Sequence, residues 1–141
     1  MRLIYSILIV LGTPFVLLYF AVRGLNDRSY LQRWSERFAC IPTHGRKQGI
    51  LVHAASVGEV NACQMLVRAL LETHPESSIT ISTLTPTGSA QVRRLFDNRV
   101  STCYIPIDIP WVVARFLKRL QPQLIIIIET EIWPNLYYHA Q

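Results

Sequence analysis

Polar and apolar positions along the chain fall into three regimes. From Leu3 to Val22, twenty residues run without a formal charge, bounded by Arg2 and Arg23. At 1.5 Å per residue they predict a helix about 30 Å long, the thickness of a bilayer's hydrocarbon core. Gly12 and Pro14 interrupt the run, which a membrane helix tolerates better than a soluble one, and Tyr5 and Tyr19 fall toward its two ends, where aromatic rings favour the interface. A cleaved signal peptide has a shorter apolar stretch and a small-residue cleavage site, whereas this segment continues into Val22-Arg23-Gly24-Leu25-Asn26. Residues 1–22 therefore read as a retained single-pass anchor helix.

Residues 23–49 read as a basic juxtamembrane linker. Arg23, Arg28, Arg33, Arg37, Arg46 and Lys47 face only Asp27 and Glu36. Basic residues just beyond a first membrane helix place that side in the cytoplasm and draw the segment toward anionic headgroups. Ile41 to Gly49, punctuated by Pro42, Gly45 and Gly49, reads as a linker.

From residue 50 to 141 the pattern alternates between strand and helix. Ile50-Leu51-Val52-His53 is a short apolar run, a first strand. After a turn through Ser56-Val57-Gly58, a helix is predicted from about Glu59 to Thr73. Val60, Cys63, Leu66 or Val67, and Leu70 recur on one face, with Asn61, Gln64, Arg68 and Glu72 opposite. Ser78 to Thr83 is a second strand. Thr85 and Pro86 have the form of an N-cap and first helical residue opening a helix to about Phe96. Val100 to Ile105 is a third strand, and Asp108 and Pro110 open a helix with Val112, Val113, Phe116, Leu117 and Leu120 on one face. Leu124 to Ile128 is an unbroken aliphatic run, as expected of a parallel strand buried on both faces. Trp133-Pro134 to Gln141 reads as the start of another helix. Strands separated by helices imply an α/β fold with a parallel sheet, its fourth strand leaving an uncovered edge.

Composition sharpens this picture in three places. Half of the 141 residues are hydrophobic and 16% are charged, with a mean hydropathy of +0.26, which excludes a disordered or collagen-like chain. A net charge of +5 and a pI near 9.4 suit an anionic membrane surface or a phosphorylated substrate. A nucleic-acid arm fits poorly beside an apolar anchor and without an aromatic stacking platform. Cys40, Cys63 and Cys103 are odd in number and far apart, which argues against a disulfide framework or a zinc knuckle and for reduced thiols.

In an open α/β sheet, ligands bind beyond the carboxyl ends of the strands. Those ends carry Ser56-Val57-Gly58-Glu59, Thr83-Leu84-Thr85-Pro86-Thr87-Gly88, Pro106-Ile107-Asp108 and Glu129-Thr130-Glu131. Glu59, Glu129 and Glu131 thus come from two strand ends that can share a crevice. Paired carboxylates suit general-base work on a hydroxyl and stabilisation of an oxocarbenium-like centre. The structural readings stand beside the chemical ones. Glu59 sits where a helix begins and is favoured there by free amides and the dipole; Glu129 ends a strand as a paired charge or a site residue; Glu131 reads as a cap of the following helix. His53 reads as a core histidine, Asp97 as a turn residue, Asp108 as a helix cap and Trp133 as a packing residue. Gly58 lies in neither a P-loop nor a G-x-G-x-x-G spacing, so a nucleotide-binding module lacks its fingerprint. His44, His74 and His139 show no metal-ligand spacing.

Four ordered motifs carry a resemblance. These are His53-Ala54-Ala55-Ser56-Val57-Gly58-Glu59, Thr83-Leu84-Thr85-Pro86-Thr87-Gly88-Ser89, Tyr104-Ile105-Pro106-Ile107-Asp108 and Glu129-Thr130-Glu131-Ile132-Trp133-Pro134-Asn135. Together with Arg33-Trp34-Ser35-Glu36-Arg37 they closely resemble the amino-terminal half of the 3-deoxy-D-manno-octulosonic acid (Kdo) transferases of lipopolysaccharide synthesis. The resemblance implies an inverting glycosyltransferase of the two-domain GT-B architecture at the inner face of the cytoplasmic membrane. Such an enzyme moves Kdo from CMP-Kdo to the phosphorylated lipid A precursor, with no cofactor. It makes residues 50–141 a truncated, Rossmann-like acceptor-binding domain, Glu59 the general base and Glu129 the transition-state stabiliser. Ser56, Gly58, Thr85, Thr87, Gly88 and Glu131 become acceptor-binding candidates. The domain for CMP-Kdo has no counterpart in these residues. The alternative is a non-catalytic, membrane-anchored half-domain that binds acceptor lipid only.

Overall fold

The computed structural model describes residues 1–41 and 49–141. Of the basic segment, Arg46, Lys47 and the neighbouring His44 lie outside the described residues. The first helix, α1 (Arg2–Asn26), extends the apolar run Leu3–Val22 by one residue at its amino end and four at its carboxyl end. It is long and apolar enough to cross a membrane. It does not stand apart from the rest of the chain. Ser6, Thr13, Phe20 and Gly24 are buried, and Ile9, Val10 and Leu17 pack against the body's core. Steps of three and four residues place these seven side chains on one stripe of the helix. The opposite face leaves Leu3, Ile4, Leu8, Leu11, Phe15 and Leu18 exposed.

Two short 3-10 helices, Arg28–Leu31 and Trp34–Phe38, follow. The body is built from β1 (Ile50–His53), α2 (Val57–Ala62), α3 (Gln64–Thr73), β2 (Ile79–Thr83), α4 (Pro86–Phe96), β3 (Ser101–Tyr104), α5 (Pro110–Leu120), β4 (Leu124–Ile127) and α6 (Pro134–His139). The four strands form a parallel sheet in the order β3-β2-β1-β4. The chain runs outward from β1 to β3 and then returns to β1's other side, so the order reverses between β1 and β4, where an open α/β sheet has its ligand crevice.

Alternation along the strands divides the core in two. Leu51 and Cys103 point to one face, packed with Val113 and Phe116 of α5, Leu136 of α6 and the inner stripe of α1. Ile50, Val52, Ile79 and Ile81 point to the other, packed with Val60, Cys63, Val67, Val92 and Phe96 of α2, α3 and α4. Helices thus cover both faces.

Three expectations change. The helix expected over 59–73 is two helices that meet at Cys63, whose N–H bonds to Glu59 O; the first begins at Val57 because Ser56 is its N-cap. The aliphatic run of β4 is not buried on both faces. Its residues alternate between the two cores, but Leu124 is 48% exposed and the others are half-buried. The reason is position: β4 pairs only with β1, and its other edge is open. The terminal helix ends at His139.

Candidate active site

The carboxyl end of β1 organises the crevice. His53 ends that strand and is fully buried, as expected of a core histidine. Its Nε2 lies 2.7 Å from Glu131 Oε2, and its Nδ1 lies 3.0 Å from Ser82 Oγ on β2. A carboxylate oxygen only accepts, so Nε2 carries a proton toward Glu131, while Nδ1 also lies 3.2 Å from the Ser82 carbonyl oxygen. Trp133 Nε1 donates to the same Glu131 oxygen at 2.9 Å, and its ring meets the imidazole edge-on at 5.9 Å. The Tyr137 hydroxyl donates to the Glu131 carbonyl.

Glu131 therefore does not cap α6. The donors at the start of α6 are taken by Asp108, which is buried and accepts from Asn135 N at 3.0 Å and Leu136 N at 2.9 Å. Asp108 in turn is not the cap of α5, whose N-cap position is Ile109. Burial pushes the Asp108 carboxyl above the usual carboxylate range, while its backbone donors hold it back. Asn135 Oδ1 accepts from Ser6 of α1 at 3.0 Å, so the turn into α6 also holds the first helix.

Glu129 follows directly from this clamp. Ile128 N bonds to His53 O at 2.9 Å, and the next residue, Glu129, turns out of the sheet with φ 66°. For a residue with a Cβ, the left-handed region costs about 1–2 kcal/mol, and such strain gathers at functional turns. Glu129 is exposed, and among the described residues its carboxylate has no partner.

Glu59 stands in the first turn of α2, just after β1. The Ser56 hydroxyl caps α2, accepting from Glu59 N at 3.4 Å, and donates to Glu59 Oε1 at 2.8 Å. The other carboxylate oxygen accepts from Ala55 N at 2.7 Å. Ser56 and Glu59 have the spacing of a capping box, with the carboxylate accepting from Ala55 N, the residue before the cap, so the structural reading of Glu59 holds. It does not exhaust the side chain. A carboxylate has about four acceptor sites, two are used, and Glu59 is only half-buried. Its oxygens are oriented by two donors and retain capacity for a third.

Of the other expected positions, Thr85 caps α4 by accepting from Gly88 N at 3.1 Å, and Thr87 donates to Thr85 Oγ1 at 3.3 Å. A Cβ on Gly88 would stand 3.1 Å from Thr85 Oγ1 and 3.5 Å from Ala55 O, so glycine there lets the first turn of α4 close on the β1–α2 turn. Leu84 N also bonds to Ala55 O. Thr85 and Gly88 shape the rim, whereas Thr87 and Gly58 are exposed on it. The structure thus brings Glu59, Glu129 and Glu131 to the adjacent carboxyl ends of β1 and β4. It ties Glu131 into the sheet while leaving oxygens of Glu59 and Glu129 free to act.

Sequence reasoning missed the part played by Arg33, Glu36 and Arg37, read there as basic linker. Arg33 makes a two-pronged pair with Glu36 at 2.6 and 2.8 Å and donates to Thr102 O and Ser89 Oγ. Glu36 accepts from Tyr104 N at 2.9 Å. Arg37 is 2% exposed, lies over the Phe20 ring at 3.8 Å and the Tyr104 ring at 4.7 Å, and donates to Leu84 O at 3.1 Å. Burial lowers its pKa and, as the larger influence, raises that of Tyr104. These cations are therefore turned into the body rather than toward headgroups. The i, i+3 spacing of Arg33 and Glu36 was the available signal. Among the described residues no group of His, Cys, Asp and Glu gathers as a metal site does.

Comparison with known proteins agrees with the motifs. Residues 32–141 match the family described as 3-deoxy-D-manno-octulosonic-acid transferase (kdotransferase). The chain is 41% identical to the 3-deoxy-D-manno-octulosonic acid transferase of Haemophilus influenzae, over 97% of this chain and 33% of the relative. It is 32% identical to a probable mitochondrial 3-deoxy-D-manno-octulosonic acid transferase of Arabidopsis thaliana, over 91% of this chain and 29% of the relative. The Bordetella pertussis transferase of the same name is 38% identical over 65% of this chain and 22% of its own length. The chain spans about a third or less of the length of these relatives. A family match across the whole body and most of the preceding segment leaves one assignment: the chain belongs to the 3-deoxy-D-manno-octulosonic acid transferase family.

Proposed function

We propose that this chain forms the acceptor-binding half of a GT-B glycosyltransferase that moves Kdo from CMP-Kdo to a hydroxyl of a phosphorylated, acylated glucosamine acceptor, the lipid A precursor. The observation that carries the reading is the placement of Glu59 and Glu129 at neighbouring strand ends, one held by two donors, the other unpartnered on a strained turn. Glu59 accepts the proton of the acceptor hydroxyl as that oxygen attacks the anomeric carbon of Kdo. The bond to CMP breaks on the opposite side, and the configuration inverts. Glu129 faces the positive charge that builds on the sugar ring as that bond lengthens.

The donor is bound by a second domain outside these residues, and the two close over the crevice. No cofactor enters the scheme. The outward apolar face of α1 holds the chain at the cytoplasmic membrane, with the body on the cytoplasmic side and exposed Arg28 toward anionic lipid. Membranes carrying the complete protein are expected to incorporate Kdo from CMP-Kdo into the lipid fraction. Acceptor lipid that binds the protein but stays unmodified beside bound donor overturns the enzymatic reading in favour of a lipid-binding half-domain.

A further inference from the structure

A cavity of about 460 Å³ lies between α1 and the carboxyl ends of β2 and β3. That volume is within the range of small-molecule sites. Val16 and Phe20 form its α1 wall, and Leu84, Ile107 and Trp133 form its body wall. The one cation on its lining is Arg37. Two faces of that guanidinium are covered by aromatic rings, yet its buried Nε has no hydrogen-bond partner. Among the described residues no carboxylate lies within ion-pair distance of it, because Glu36 is committed to Arg33 and to Tyr104 N. Arg37 thus stands at the Leu84 end of the cavity as a cation with no ion-pair partner among the described residues.

We infer that this cavity is a slot for one acyl chain of the acceptor lipid, with the polar root of the chain at the end where Arg37 stands. The inference rests on the functional reading above, which requires an acylated acceptor. Three features fix the occupant as a chain rather than a free polar ligand. The lining is apolar apart from Arg37 and Asp108 and the hydroxyl of Tyr19, and Asp108 is already engaged by the start of α6. One wall is the inner side of a helix whose outer side is an apolar surface of membrane-spanning length, so a chain can pass from lipid into the slot without crossing water. The body wall is built from the segments that end beside the crevice: Leu84 precedes the cap Thr85, and Trp133 holds Glu131. A chain seated there leaves its sugar at the carboxyl ends of the strands.

The test is photolabelling of the full chain in membranes. The probe is an acylated, phosphorylated glucosamine disaccharide with a diazirine midway along one chain, set beside a phosphatidylethanolamine carrying the same chain. The glycolipid is expected to label the stretches around Leu84, Ile105–Ile107 and Trp133, and the signal is expected to fall at least fivefold in Ile107→Trp and in Leu84→Trp, each checked for native circular dichroism. Label confined to the outer face of α1, or undiminished in the folded slot variants, overturns the inference. So does equal labelling of the slot by the phospholipid, which makes the occupant bulk lipid. A second glycolipid with the diazirine on its sugar separates the two proposals. Sugar label near Ser56–Glu59 with no acyl label in the slot sinks the slot alone. Absence of sugar label there sinks the functional reading.

Discussion

His53 and Glu131, separated by 78 positions in the chain, are joined at 2.7 Å through the imidazole Nε2 and a carboxylate oxygen. The bond fastens the segment after β4 to the end of β1 and thereby fixes the turn on which Glu129 stands. Removing the carboxylate in Glu131→Ala strands a buried ring nitrogen, at a cost of about 1–3 kcal/mol, and also frees Trp133 Nε1. Urea unfolding is expected to show that loss with an altered Trp133 emission. Glu131→Gln, which keeps one acceptor oxygen, is expected to recover most of it. Equal stability of Glu131→Ala and the parent chain contradicts the clamp.

Gly49 → Ala probes the entry to β1. A Cβ at Gly49 would stand 2.0 Å from the backbone oxygen of Ser78, which also accepts from Ile50 N at 2.8 Å. Backbone cannot swing aside as a side chain can, so the β1–β2 pairing has to shift. A loss of about 2 kcal/mol or more is expected, read as a lower urea midpoint. An unchanged midpoint argues against this register.

The three thiols are expected to separate on alkylation. Cys40 is exposed, whereas Cys63 and Cys103 are buried, and burial raises the Cys63 thiol and pushes Cys103 up to about 12. Since the thiolate is the reacting form, mass spectrometry after brief maleimide treatment at pH 7.5 should find a single adduct, on Cys40. The other two should follow only in denaturant.

Asp108 gives a pH signature. Its folded carboxyl sits above the ordinary value near 3.9, so the folded state holds that proton more tightly than the unfolded chain. Its contribution to stability is then fully present below the ordinary value and declines as pH climbs through the folded one. The stability advantage of the parent over Asp108→Asn, measured by denaturant melts, is expected to shrink as the pH rises above the ordinary carboxylate value. An advantage that grows as the pH rises contradicts the assignment.

Much of the architecture is legible in the sequence, because period-2 and period-3.6 patterns report one local decision at a time. Thr85-Pro86 opens α4 where the N-cap rule puts it, and Ser56-Val57-Gly58-Glu59 sits at a helix start. What escaped depends on distant partners. The aliphatic run of β4 reads as buried on both faces, although the strand's uncovered edge, visible in the strand order, leaves it half-buried. Asp108 has the local form of a cap for α5, while its donors come from Asn135 and Leu136. Glu131 looked free to cap because nothing local announces His53. Arg37 looked like a surface cation because Phe20 and Tyr104, which cover it, are far along the chain.

The central claim is that Glu59 takes the acceptor proton, and Glu59→Gln in the complete transferase tests it most directly, with Kdo transfer and acceptor-lipid binding measured on the same preparation. Glutamine keeps the size and one acceptor oxygen but is not a base. Turnover is expected to fall by about 10² to 10⁴-fold, with lipid binding held within about twofold. Near-parental turnover in a folded Glu59→Gln protein contradicts the assignment and leaves Glu59 only as the partner of the Ser56 cap.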